Sequence, residues 1–140
     1  MRLASYERSG KKGLALANGA GWHGLEEDDA NYPGCLQSLI GTGGDALRRA
    51  ADVLAASPEI DLDGVRLLPP VPSPEKIICI GLNYVDHSNE SGFEQPDYPT
   101  MFSRFNSSLI GHGAPILRPS LSDQLDYEGE LVVVIGKTAR

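Results

Sequence analysis

Prolines at positions 69, 70, 72 and 74 of Leu67-Leu68-Pro69-Pro70-Val71-Pro72-Ser73-Pro74 constrain this chain more than any other feature. Each proline fixes φ and removes an amide donor, so neither a helix nor a central strand passes through the stretch, and extended polyproline geometry remains. The chain therefore reads as two modules, residues 1–68 and 69–140. Its 140 residues, 41% of them apolar, suffice for one core, or for one small module plus part of another.

Before the prolines, Leu3, Ser5 and Tyr6 lead into a Ser-Gly-Lys-Lys-Gly turn. Leu14-Ala15-Leu16-Ala17 follows, and then Asn18-Gly19, a hairpin signal. These features predict a small β-meander. Asp45 precedes Ala46, Leu47, Ala50, Ala51, Val53 and Leu54 at helical spacing, and Ser57-Pro58 stops the run, so one amphipathic helix capped by Asp45 is expected. Beyond the prolines, Lys76-Ile77-Ile78-Cys79-Ile80-Gly81 reads as a short buried strand and Thr100–Phe105 as another; residues 109–113 and 115–117 are turn-separated pieces of a β-rich domain.

Several function classes drop out. Net charge is −7, and no Lys/Arg cluster interleaves with aromatics, so a nucleic-acid backbone would be repelled. No phosphate-cradling glycine loop is present. Cys35 and Cys79 are far apart, as expected of inert thiols in a reducing compartment. The N-terminus lacks the apolar core of a secretion signal, and no apolar run approaches membrane-spanning length, so a soluble, cytoplasmic protein is expected. His23 and His112 have no partners at ligand spacing and read as packing or loop histidines.

Two segments carry the candidate chemistry. In Asp126-Tyr127-Glu128-Gly129-Glu130-Leu131-Val132-Val133-Val134-Ile135, an extended backbone would turn Glu128 and Glu130 to one side, ahead of an apolar strand. Paired carboxylates, hard oxygen donors without thiolate or imidazole, suit Mg²⁺, Ca²⁺ or Mn²⁺; a solvated strand face is the alternative. In Gly81-Leu82-Asn83-Tyr84-Val85-Asp86-His87-Ser88-Asn89-Glu90, His87 and Glu90 stand three apart. On a helical turn the carboxylate can then orient the imidazole as a general base; a surface ion pair is the alternative. Asn83 and Tyr84, beside His87, are candidate pocket-lining groups.

Taken in order, the strand followed by GLNYVDHSNE, YPTMFSRFNSS, GHGAPILRP and LDYEGELVVVIGK closely resembles the fumarylacetoacetate hydrolase family over about residues 66–140. The resemblance implies an α+β fold: a small N-terminal module, then the first part of a mixed β-sandwich or β-roll of that family's C-terminal-domain type. It implies that Glu128 and Glu130 are two acidic ligands of Mg²⁺ or Mn²⁺, and that His87 and Glu90 are the water-activating dyad on a mobile lid. Arg104 falls where many members have lysine, and its planar fork can grip a substrate carboxylate bidentately.

The implied chemistry is metal-dependent C–C bond hydrolysis of a small 2,4-dioxo or dienoic acid through an enolate. Isomerisation or decarboxylation by the same site is an alternative. A homodimer is the implied assembly. The family's third ligand, an aspartate on a later strand, has no counterpart in residues 1–140. A truncated chain is therefore expected, weaker in metal binding, with a non-catalytic remnant or assembly module as the alternative.

Overall fold

A computed structural model describes residues 1–139 as two compact units, residues 1–71 together with 110–139, and Pro72–Leu109. In the first unit, β1 (Leu3–Arg8), β2 (Lys11–Asn18) and β3 (Gly21–Glu26) form the expected meander. Gly10 (φ 80°) and Gly19 (φ 62°) occupy the two turns, where left-handed backbone costs a residue without Cβ little. Helices α1 (Leu36–Thr42) and α2 (Gly44–Ala55) follow, and then the short strands β4 (Glu59–Ile60) and β5 (Arg66–Leu67). The sheet runs β4-β3-β2-β1-β5, antiparallel throughout.

Strand periodicity divides the core in two. Leu14 and Leu16 of β2, with Leu25 of β3, face the helices and pack with Leu36, Leu39, Ala46, Ala50 and Leu54. On the opposite face, Tyr6, Ala15 and Ile60 gather Trp22, Leu62, Val65 and Leu67. His23, on the helix-bearing face, places Nδ1 2.7 Å from the Ser57 carbonyl just beyond α2. Its role is structural, as expected.

The helical region departs from expectation in two ways. Helix α1 was not anticipated, although Leu36, Leu39 and Ile40 carry helical spacing. Asp45 is not the cap of α2. Gly43 holds that place at φ 115°: its amide closes α1 onto the Leu39 carbonyl, and its own carbonyl accepts from the Ala46 and Leu47 amides. One residue thus ends α1 and starts α2, leaving Asp45 in the first turn, where its charge suits the helix dipole and pairs with Arg48.

Three residues in register across the meander bind its strands together. Tyr6 pairs with Gly13, and Gly13 with Glu26. The Tyr6 ring lies over Gly13, where an added Cβ would come 2.2 Å from Tyr6 Cζ. Its hydroxyl thereby reaches the third strand and donates to Glu26 Oε1 at 2.8 Å, while Arg8 Nη2 lies 2.5 Å from the same carboxylate. Tyr6 is fully buried, so glycine at 13 is what gives the ring its space.

The second unit holds β6 (Ile77–Gly81), α3 (Val85–Ser91), β7 (Thr100–Arg104) and a 3₁₀ turn at Asn106–Ser108. Strands β6 and β7 pair antiparallel, from Ile77 opposite Arg104 to Gly81 opposite Thr100. The two strands are as expected, but β6 is not buried: Ile78 is 60% exposed. A two-stranded ribbon leaves alternate side chains of each strand without a covering layer.

Replacing Gly13 with Ala forces a Cβ into the Tyr6 ring and is expected to reduce the unfolding free energy by about 2 kcal/mol, an overpacking cost, measurable as a lower urea midpoint. Burial, followed by the hydrogen bond to Glu26, raises the Tyr6 phenol well above its usual value, and burial pushes Tyr32 up to about 12. The folded state then holds these protons more tightly than the unfolded chain, whose phenols titrate near ~10. Their stabilisation is complete below pH ~10 and declines as pH rises above it, through about 12 for Tyr32 and still further for Tyr6. Urea midpoints should fall across that window, and fall less steeply in Tyr6→Phe.

Candidate functional site

The strand β6 runs straight into the segment that carries His87. At its end Leu82 adopts φ 52°, a left-handed conformation that a Cβ disfavours by about 1 kcal/mol or more. The chain reverses there and enters α3 through Tyr84, whose backbone is extended (φ −117°, ψ 132°). Gly92, at φ 70°, ends the helix, and the Phe93 amide returns to the Ser88 carbonyl at 3.0 Å. Helix α3 is thus a two-turn element bracketed by left-handed residues. Its three-residue spacing puts half-buried His87 and exposed Glu90 on one face.

Ser88, between them, points the other way and is 2% exposed. Its hydroxyl donates to Gln95 Oε1 at 3.1 Å and lies 3.4 Å from the Tyr84 carbonyl, while Gln95 Nε2 donates to the Leu82 carbonyl at 2.8 Å. These contacts were not foreseen from sequence; the only signal, a serine amid an exposed helix, is indistinguishable from a surface serine.

Asn83 is exposed and lines a concavity of about 220 Å³ with Leu82, Gln95, Asp97 and Tyr98. Arg104, at the end of β7, lines a different one of about 310 Å³ with Phe102, Phe105 and Ser108. Tyr84 is 42% exposed.

Glu128 and Glu130 belong to the other unit, and both are exposed. The strand expected there does not form: residues 124–135 carry no helix, turn or ladder. A strand is stabilised by a ladder of hydrogen bonds to a neighbouring strand, and among the described residues neither sheet includes this segment. Leu131, Val132, Val133, Val134 and Ile135 are all exposed, Leu131 at 83%. At Gly136 the chain comes close to α1, where an added Cβ would lie 3.0 Å from Ile40. Among the described residues no three His, Cys, Asp or Glu side chains converge as a metal cluster. The Glu128–Glu130 donor set, two hard carboxylates in water-accessible positions, fits a divalent cation that keeps several waters.

The fumarylacetoacetate (FAA) hydrolase C-terminal family profile matches residues 76–140. Over its whole length the chain is 37% identical to the oxaloacetate tautomerase fahd2, mitochondrial, of Xenopus laevis. The chain belongs to the fumarylacetoacetate hydrolase family. The Homo sapiens oxaloacetate tautomerase FAHD2A, mitochondrial, is 37% identical over 91% of the chain. The chain spans 46% and 41% of these two relatives, less than half of each. A solved structure of a protein assigned as HpcE, from Mycobacterium smegmatis, overlays 85% of this chain and 41% of its own with a TM-score of 0.55 at 24% identity. That likeness supports the α+β fold of this fumarylacetoacetate hydrolase family member, with its helices and antiparallel sheets. Both named tautomerases carry "mitochondrial" in their names, a location other than the cytoplasmic one expected from the sequence. No helix among the described residues is long and apolar enough to cross a membrane.

If the two glutamates act together on a cation, Glu128→Gln with Glu130→Gln should weaken Mn²⁺ binding by about tenfold or more, since affinity follows ligand charge, as titration calorimetry would show.

Proposed function

We propose that this chain carries the proton-transfer residues, and two cation-holding carboxylates, of an enzyme interconverting the keto and enol forms of a small 2-oxo dicarboxylic acid. Oxaloacetate is the substrate named for its relatives at 37% identity. The observation that carries the reading is the placement of His87 and Glu90 on one face of α3.

Enolisation breaks a C3–H bond, moves its electron pair into a C2–C3 double bond, and leaves a proton for the 2-oxo oxygen. His87 takes the C3 proton while the C2=O π pair moves onto oxygen, then as imidazolium gives that proton to the oxygen, directly or through water, and the reverse direction retraces the steps, a task for which an imidazole is suited near neutral pH. Glu90 orients the ring. Arg104 grips the substrate's distal carboxylate through its planar fork, and the Asn83 amide and Tyr84 hydroxyl donate hydrogen bonds to substrate oxygens. A divalent cation, Mg²⁺ or Mn²⁺, held by Glu128 and Glu130, supplies Lewis-acid polarisation of the 2-oxo group when bound.

A second reading is favoured by the family profile's own description as a hydrolase. In it His87 takes its proton from water instead, and the hydroxide cleaves a C–C bond of an acylpyruvate-like 2,4-dioxo acid.

Following the ultraviolet absorbance of enol-oxaloacetate in the presence of Mn²⁺ tests the proposal. His87→Ala should lower the enzyme-dependent rate by about 100-fold or more, the usual contribution of a general base, with an unchanged circular dichroism spectrum. Cleavage of an acylpyruvate without enol-keto conversion would instead select the hydrolase, and no turnover together with no Mn²⁺ binding would leave the chain a non-catalytic module.

A further inference from the structure

We propose that Gln95 is a positioning residue which, through the buried Ser88 hydroxyl, fixes the orientation of α3 and hence of His87. This inference rests on the reading of His87 as the proton carrier. The observation behind it is one side chain spanning both ends of the strained entry to the helix. Gln95 Nε2 donates to the carbonyl of Leu82, the residue held at φ 52°, and Gln95 Oε1 accepts from Ser88, which follows His87 directly.

Several facts make this more than an incidental surface contact. A non-glycine residue in left-handed backbone persists only where surrounding contacts hold it, and the Gln95 amide is such a contact on Leu82. Ser88 is the sole buried polar side chain among the described residues and belongs to an element whose other side chains are exposed or half-buried. A hydroxyl out of reach of water must find its partners within the protein, and Ser88 finds them in Gln95 and the Tyr84 carbonyl. Because Ser88 points inward, rotation of α3 about its axis would break that bond and swing His87 and Glu90 with it. Left-handed Gly92 and Leu82 bracket α3 and are its natural pivots, and Gln95 opposes rotation directly at the Leu82 end and through Ser88 on the helix itself. Gln95 also lines the 220 Å³ concavity with Asn83, so the clasp borders a space in which a small acid would be held.

The test compares wild type with Gln95→Met, which keeps the side chain's length and loses both hydrogen bonds, and with Gln95→Glu, which keeps acceptors and loses the donor to Leu82. Amide exchange over residues 82–93 should quicken about tenfold or more in both variants, as expected when a locally ordered turn loses its holding contacts, while β1, β2 and β3 stay protected. The His87 ring resonances should shift or broaden, and kcat for enol-keto conversion should fall with KM little changed. Unaltered exchange in Gln95→Met would overturn the clasp. Faster exchange with an unmoved His87 resonance and unchanged kcat would overturn the positioning role, as would a Gln95→Glu variant that behaves as wild type. If wild type itself shows no conversion, the proposed function fails alone, and exchange together with the His87 resonance still decides the clasp.

Discussion

Extended chain is kept as strand by the backbone groups of a neighbour, and that requirement organises the whole of this structure. The meander satisfies it locally, since β2 and β3 each fold back on the strand before through a tight turn. Strands β6 and β7 meet it across a longer excursion that includes α3. Residues 131–135, with higher intrinsic strand preference than any of these, join no sheet among the described residues and remain irregular and exposed. Pairing, rather than β-branched composition, decides which apolar runs become sheet.

Where pairing is met, packing sharpens it. Gly13 contributes an absence: without a Cβ there, Tyr6 lies flat across its own partner strand and bonds to Glu26 on the next. The opposite face is closed by α1 and α2, whose short Gly43 junction lets two helices share one apolar surface with Leu14, Leu16 and Leu25. Fully buried Leu54 and Leu14 anchor that side, each worth about 1.5–3 kcal/mol of transfer free energy.

The candidate site is built differently, from exposed side chains on a short helix held by strain and a few hydrogen bonds rather than by a core. His87, Glu90 and their neighbouring polar groups sit in one unit, and Glu128 and Glu130 belong to the other. Such a site relies on contacts like that of Gln95 with Leu82 and Ser88 to hold its geometry, since apolar packing around α3 is sparse.

How much of this was legible beforehand follows from the range of the forces involved. Turns, the amphipathic stripe of α2 and the placing of His87 and Glu90 at helical spacing are local, set by Gly19, by the 46-50-54 periodicity and by a three-residue offset, and the amino-acid order determined them alone. The family likeness was legible for the same reason, as an ordered set of short motifs. Only the tertiary structure decided the Tyr6–Glu26 bridge over Gly13, the sharing of Gly43 between two helices, the burial of Ser88 and the absence of a strand ladder at residues 131–135 among the described residues. The bridge and the missing ladder depend on which distant residue lies alongside, and the Gly43 junction and Ser88 burial on backbone turns and contacts that no periodicity encodes.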